Sequence, residues 1–301
     1  MENAGAYAEI GRRAGVYYEE NASLAPHCTF GTGGNADVLF FPETKEGAAE
    51  LIARLDEEGL CYVLLGNGSN VLISDDGIRG GAICLKKLKG VTVKGKILTA
   101  LAGESLADVI ETALLNSLGG MEFLSGIPAS VGGAVAMNAG CFNKTIGEYV
   151  SFVEYADGIV GGKNCRFSYR NSLFKEEKKC VLSVSFHLEN VEYEQSESKI
   201  GYFLSLRRNR QPKGRTCGST FKNDGYFAGR VIESCGLKGF RVGGARVSEK
   251  HANFIVAEKC ATSGDIYSLI LHIKETVLKR CGIRLREEVE YIGKFKDENQ
   301  L

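Results

Sequence analysis

Hydrophobic residues recur at helical spacing over 46–58, where Ala48, Leu51, Ile52 and Leu55 share one face and Gly59 marks the end. The pattern then changes: CYVLLG (61–66) is a short apolar run that breaks into glycine, as a buried strand does when it delivers its C-terminal end to a loop. Short strands are predicted at 82–85, 91–93 and 97–102, in a hairpin-like region. A second helix comes next, with Ser105 and Asp108 at capping-box spacing, a stripe of Leu106, Val109, Ile110, Ala113 and Leu114, and Gly119 and Gly120 as its stop. Alternation predicts strands at 150–156 and 180–188. The polar stretch NVEYEQSESK (190–199) reads as a domain boundary. Beyond it come a strand at 253–257, a helix with the stripe Ile266, Leu269, Ile270, Ile273 and Val277, and a last strand at 288–293. No internal repeat or heptad array interrupts this order.

Length and composition sharpen the picture. A chain of 301 residues calls for two or three domains and buries about 75% of its unfolded surface, so disorder does not describe the whole. The 38 Gly against 4 Pro point to tight turns and to backbone approaching something closely, a phosphate being one candidate. Lys+Arg and Asp+Glu balance at 37 each, which excludes a global field for nucleic acid or an anionic membrane. No signal-peptide core and no apolar run of membrane-spanning length is visible, so a soluble, cytoplasmic protein is expected. The ten Cys show no CxxC spacing and the four His no ligand spacing. A metal centre is therefore not expected, and the cysteines read as reduced, buried small hydrophobes.

The strand at 61–66 feeds a Gly-x-Gly-Ser-Asn turn. Backbone N–H groups exposed by Gly66 and Gly68, with the side chains of Ser69 and Asn70 added, make an anion-binding concavity; an ordinary glycine hairpin reads equally well from this motif alone. The next residues, VLIS (71–74), read as strand rather than helix, which argues against a Rossmann or P-loop site. The stretch 125–147 is rich in small residues and too short of large side chains for a core of its own, so backbone or a ligand must pack closely there.

Taken in order, TFGTGGNAD (29–37), GNGSNVLISDDGIRGG (66–81), EFLSGIPASVGGAVAMNAG (122–140), FSYRNSLF (167–174), GSTFKN (218–223), AGRVIESCGLKGFRVGGARVSEKHANFIV (228–256) and LREEVEYIG (285–293) resemble the signatures of the UDP-N-acetylenolpyruvoylglucosamine reductase family. The resemblance covers about residues 25–293 and implies an α+β fold. A two-subdomain FAD-binding module of the vanillyl-alcohol-oxidase-like kind, at 1–95 and 96–195, would precede an α+β substrate-binding domain at 200–293. It implies NADPH-dependent, FAD-mediated reduction of UDP-N-acetylglucosamine enolpyruvate to UDP-N-acetylmuramate, in peptidoglycan synthesis, by a cytoplasmic monomer with non-covalent FAD. The cofactor residues it implies are Gly66, Asn67, Gly68, Ser69 and Asn70 in the first cluster, and Ser125, Gly126, Ile127, Pro128, Ser130, Val131, Gly132, Gly133, Asn138 and Gly140 in the second.

Three residues match the family's catalytic positions: Arg170 as carboxylate clamp, Ser219 as proton donor and Glu288 as the acid of the last strand. The chemistry agrees, because a guanidinium pairs bidentately with a carboxylate and stays charged. Where the family often reads Leu-Glu-Pro-Glu-Val, this chain has Leu285-Arg286-Glu287-Glu288-Val289, which leaves Glu287 as the alternative; strand alternation would set Glu288 on the side of Glu290 and opposite Val289. The cationic run RRNRQPKGR (207–215) is either a solvated loop or the seat of the UDP diphosphate, through Arg207 and Lys213, with Lys222, Asn223 and Asn253 nearby in the substrate motifs. His251 is either a site residue or a hydrogen-bonded, half-buried one. The spacing of Arg170 and Ser219 resembles the shorter form of the family, without the insertion that carries a Tyr. Two rivals remain: an oxidase of the same FAD-binding superfamily, and a nucleotide-sugar-binding protein without activity.

Overall fold

Helix caps written in the sequence are met in the computed structural model, which describes residues 4–295. Helix Lys45–Glu57 starts at Thr44, whose hydroxyl accepts the Gly47 N–H at 3.0 Å. Helix Leu106–Leu115 starts at Ser105, which accepts the Asp108 N–H at 3.0 Å. The capping box of Thr262 and Asp265 opens helix Ser263–Cys281, and Gly282, at φ +68°, closes it in the left-handed conformation. No helix among the described residues is long and apolar enough to cross a membrane.

Contacts divide the chain into two interleaved units. One holds residues up to 20, 38–67 and 80–207; the other holds 21–37, 68–79 and 208 onward. A four-stranded sheet runs in the order Tyr17–Ser23, Asn35–Phe41, Ile78–Cys84, Tyr62–Leu65, and the unit boundaries fall inside its first three strands. Tyr62–Leu65 is parallel to its neighbour, Tyr62 opposite Gly81 and Leu65 opposite Cys84.

In the first unit a five-stranded antiparallel sheet runs Gly158–Gly161, Val150–Tyr155, Val181–His187, Ile97–Leu101, Val91–Lys94. Its core gathers Phe40, Leu51, Leu55, Leu98, Leu106, Val109, Val184 and Phe186, all fully buried. Sequence reasoning passed over helix Ala4–Arg13, which buries Tyr7, Ala8 and Ile10 and packs on Lys45–Glu57, and the polar strand Tyr17–Ser23. The second unit packs helix Ser263–Cys281 on strands Arg241–Val242 and Ala245–Val247 and on helix Ala228–Ser234, and Ile255–Ala257 pairs antiparallel with Ala245–Val247. Its last strand, Glu290–Ile292, pairs in parallel with Val71–Ile73 from the first third of the chain.

Several expectations are corrected. Of the three short strands read as one hairpin-like region, only Val91–Lys94 and Ile97–Leu101 form a hairpin; the first belongs to the parallel pair with Tyr62–Leu65. Val181, Leu182, Ser183 and Val184 are all buried rather than alternating, because this strand is central and helices Val131–Ala136 and Lys45–Glu57 pack on it. Helix Tyr193–Arg210 begins inside the polar stretch 190–199 and also takes up the start of the cationic run, so 207–210 are not loop. Cys61, Cys260 and Cys281 are exposed and Cys141 half-buried, so packing accounts for only the other six cysteines.

Two glycines of the second unit test these turns. Gly77 (φ +69°) and Gly225 (φ +73°) are both left-handed, but a Cβ at Gly77 would collide with the Asn35 backbone, whereas Gly225 faces open space. Gly225→Ala is expected to cost about 1 kcal/mol through backbone strain alone, and Gly77→Ala more than about 2 kcal/mol, measured as the shift in urea midpoint. Equal shifts would contradict the packing at Asn35.

Candidate active site

In the first unit, strand Tyr62–Leu65 buries Leu65 and runs into the first glycine cluster. A Cβ at Gly66 would collide with the Ser130 hydroxyl, and Asn67 Nδ2 donates to the Pro128 carbonyl at 2.7 Å. These contacts draw the turn against the small-residue segment. That segment is fixed by its own backbone: Val131 N–H bonds Glu104 O and Gly132 N–H bonds Ala102 O, both at 2.9 Å, and a Cβ at Gly132 would sit 2.9 Å from the Ala102 side chain. Ser125 and Ser130 are buried, yet neither hydroxyl finds a hydrogen-bond partner among the described residues. Buried hydroxyls without partners are costly in a finished core, and here two of them lie along the small-residue segment. Together with the glycine turn they fit the polar edges of FAD. Ile127 packs on the core, Pro128 and Gly126 are exposed, and Gly133 is half-buried.

Asn138 and Gly140 act differently. The buried Asn138 amide donates to Ser168 O at 3.0 Å and accepts the Gly147 N–H at 3.1 Å, so it ties this segment to the turn that carries Arg170. Ser168 and Asn171 bond each other's backbone across that turn, and Arg170 sits between them at φ +56°. A left-handed arginine costs about 1–2 kcal/mol and persists only where its surroundings impose it. Ser172 Oγ, donating to Ala136 O at 2.7 Å, and Lys175, donating to Arg170 O at 3.3 Å, do so. The Arg170 guanidinium donates to Gly140 O at 3.3 Å and stands 5.6 Å from the Tyr169 ring.

The second unit holds the other two catalytic candidates. Asn253 is buried and its side-chain amide bonds both ways to Phe221: Oδ1 accepts the Phe221 N–H at 2.9 Å and Nδ2 donates to Phe221 O at 2.8 Å. Thr220 N–H bonds Asn253 O at 2.8 Å, and Thr220 O accepts the Glu288 N–H, also at 2.8 Å. Ser219, half-buried, bridges to Phe254 on the same edge. Thus Ser219 and Glu288 lie on directly hydrogen-bonded stretches of backbone. Glu288 is 8% exposed. Burial, with the Glu288 charge adding to it, pushes the neighbouring Cys217 thiol up to about 12. Glu287 instead pairs with Lys274 at 2.6 Å and accepts from the Tyr291 hydroxyl at 3.4 Å. Alternation does not separate Glu288 from Val289 as expected: the strand covers only Glu290–Ile292, and Glu288 and Val289 are both buried, their N–H groups on Thr220 O.

The remaining candidates divide by unit. Gly66 and Asn67 belong to the first, whereas Gly68, Ser69 and Asn70 belong to the second. A Cβ at Gly68 would collide with His27 O; Ser69 is half-buried; Asn70 Nδ2 donates to Glu288 O at 3.0 Å. Asn223 Oδ1 accepts the Ala228 N–H and so caps helix Ala228–Ser234, Lys222 N–H bonds Arg286 O, and Lys213 is exposed. Arg215 donates to Ala257 O and Gly31 O. Arg207, in the first unit, donates to Ser125 O, Phe123 O and Cys141 Sγ. Sequence reasoning passed over Cys141 and Phe142. The latter is an exposed ring at φ +55°, tilted against Phe203 at 4.9 Å between ring centroids, and only its place in the small-residue segment could have flagged it.

Comparison with known proteins finds two matching regions along the chain. A sequence model described as FAD binding domain matches residues 36–160, and one described as UDP-N-acetylenolpyruvoylglucosamine reductase, C-terminal domain, matches 211–292. The UDP-N-acetylenolpyruvoylglucosamine reductase of Caldanaerobacter subterraneus subsp. tengcongensis is 39% identical over 91% of this chain and 93% of its own length. That of Clostridium perfringens is 37% identical over 96% and 99%. The solved structure of the UDP-N-acetylenolpyruvylglucosamine reductase from Thermus caldophilus superposes with a TM-score of 0.79 at 31% identity, covering 92% of this chain and 99% of that one.

His251 supplies a pH test of the second unit. Its Nδ1 accepts the Asn253 N–H at 3.2 Å, its ring lies 4.8 Å from Phe254, and burial holds its imidazole below the usual value. Since the folded state binds the proton less well than the unfolded one, the stability it contributes is complete above about pH 6.5 and is lost as the pH falls below that. His251→Gln is expected to flatten the fall in urea midpoint between neutral and mildly acidic pH; an unchanged slope would exclude this histidine as its source.

Proposed function

The chain belongs to the UDP-N-acetylenolpyruvoylglucosamine reductase family and is an oxidoreductase with an FAD-binding module, and from this we propose that it reduces UDP-N-acetylglucosamine enolpyruvate to UDP-N-acetylmuramate at the expense of NADPH. The setting we propose is the cytoplasm, in peptidoglycan synthesis and hence in cell-wall growth, shape and division, with the protein acting as a monomer. By role, residues 1–95 and 96–195 would serve the cofactor and 200–293 the substrate. The observation that carries the proposal is the backbone bond from Glu288 N–H to Thr220 O, beside the Asn253 clamp on Phe221, which supports a proton donor and an acid working side by side.

Bound FAD would supply the hydride-transfer chemistry that no side chain offers, between NADPH and the enolpyruvyl group. Gly66, Asn67, Ser125, Gly126 and the residues at 130–133 would hold it in the first unit, and Gly68, Ser69 and Asn70 would add to the glycine turn in the second.

The chain's own residues manage charge and the proton. Hydride addition pushes electron density onto the neighbouring carbon and its carboxylate. Arg170 would pair with that carboxylate, and a guanidinium fixed before the charge develops stabilises it without reorganisation. The Ser219 hydroxyl would give its proton to the neighbouring carbon and recover one from water, which completes the addition of H⁻ and H⁺ across the double bond. Glu288, buried against the same backbone, would orient the substrate beside Ser219. Lys213 and Lys222 are the cations we assign to the UDP diphosphate; Asn223 serves by accepting the Ala228 N–H and Asn253 by holding Phe221.

Ser219→Ala is expected to leave NADPH bleaching of the flavin intact while slowing reoxidation by the enolpyruvyl substrate by about 10²–10⁴-fold in anaerobic stopped flow. Normal turnover would remove Ser219 from its role. Glu288→Gln should lose the same half-reaction and Glu287→Gln should keep it, because Glu287 is engaged with Lys274. The reverse result would move the acid by one residue.

A further inference from the structure

Arg207 stands in the last turn of helix Tyr193–Arg210, a largely solvated helix that buries Ser196. Its own guanidinium is nevertheless engaged within the first unit through Nε and Nη2. Nε donates to Ser125 O at 2.7 Å; Nη2 donates to Phe123 O at 3.1 Å and to Cys141 Sγ at 2.9 Å. Cys141 Sγ in turn donates to Phe123 O at 3.0 Å, and the guanidinium lies 5.6 Å from the Phe142 ring. The stem is accommodated as well: a Cβ at Gly126 would come within 2.9 Å of Arg207 Cδ, so glycine there leaves the arginine its path. One planar fork therefore fastens the turn at 123–126 to the turn at 141–142.

This geometry explains a feature of the cofactor segment. The Ser125 carbonyl is turned to Arg207, while the Ser125 hydroxyl stays buried with no hydrogen-bond partner among the described residues. A buried hydroxyl held in one orientation and left unsatisfied by protein is a prepared contact for a polar ligand. An ammonium could not replace the fork, since a point charge on a flexible stem does not span two carbonyls and a sulfur in fixed directions.

We propose that Arg207 is a positioning residue of the FAD site, holding Ser125 and Gly126 in register for the cofactor, and that it is not a ligand of the substrate diphosphate. The proposal rests on the reading that this chain binds FAD. It reassigns the first cation of the run 207–215, leaving Lys213 and Lys222 for the UDP diphosphate.

The test is FAD titration of flavin-stripped, full-length protein, read by flavin fluorescence and the visible absorption bands. Arg207→Gln and Arg207→Lys are both expected to raise the FAD dissociation constant by roughly tenfold or more and to shift the bands, in flavin-free protein that stays folded with a somewhat lower melting temperature because the carbonyls of Phe123 and Ser125 lose their donor. Millimolar guanidinium should restore part of the affinity of Arg207→Ala. Wild-type FAD affinity and spectrum in these variants, with a higher KM for the UDP sugar alone, would overturn the proposal and return Arg207 to the substrate. Should Arg207→Gln fail to fold, Arg207→Lys, which keeps stem and charge, decides: weakened FAD binding in a folded protein supports the proposal, and unchanged binding overturns it. A wild-type chain that takes up no FAD would overturn the functional reading itself, and this proposal with it.

Discussion

The side chain of Asn253 imitates a strand neighbour, offering one acceptor and one donor to the backbone of Phe221, and the second unit's share of the site depends on that pair of bonds. Without it, two buried backbone groups of Phe221 would be left to find partners in an apolar surrounding, at about 1–3 kcal/mol each. With it, the stretch from Ser219 to Phe221 is set between the residues at 253–254 and those at 287–288. Asn70 extends the arrangement, donating to Glu288 O while its own carbonyl accepts the Glu290 N–H. A glycine-cluster asparagine, a substrate-motif asparagine and the last strand thus form one hydrogen-bonded structure, in which a hydroxyl and a carboxyl are presented by backbone that has little freedom to move.

The first unit meets a comparable demand by other means. Arg170 is held in the left-handed region by a turn closed on both sides, and its guanidinium rests on Gly140 O. Asn138 links that turn to the small-residue segment, so the residues expected to touch the cofactor and the residue expected to clamp the substrate share one support. Burial pushes the Cys141 thiol up, with Arg207 and Arg170 pulling against it, which keeps this cysteine a neutral hydrogen-bonding neighbour rather than a nucleophile. The stability of this region is spent on orientation: strained backbone and unsatisfied hydroxyls at Ser125 and Ser130 sit on a well-packed core.

Much of this was legible in the residues. The stripes of Leu106, Val109 and Ile110 and of Ile266, Leu269, Ile270 and Ile273 named their helices and their buried faces, because amphipathic packing is local in sequence. The ordered glycine motifs named the family. What stayed hidden was non-local. Nothing in VLI at 71–73 says that its partner is EYI at 290–292, and nothing in GNGSN says that the turn is divided between two units. The roles of Asn138, Asn223 and Asn253 were hidden too, since a polar side chain in a motif reads as a ligand until its backbone partner is seen. Arg207 misled for the same reason: charge pattern gives the sign of a run, not the direction each side chain takes.

The central claim is that this chain passes reducing equivalents from NADPH to an enolpyruvyl ether with its own residues supplying the proton. The most direct measurement is anaerobic: the purified, flavin-loaded protein is reduced with one equivalent of NADPH and then mixed with UDP-N-acetylglucosamine enolpyruvate. The account predicts bleaching in the first step, full return of the flavin spectrum in the second, and one equivalent of UDP-N-acetylmuramate carrying a solvent-derived hydrogen on the carbon next to its carboxylate. A reduced protein that the UDP sugar leaves bleached, and that only oxygen reoxidises, would contradict it.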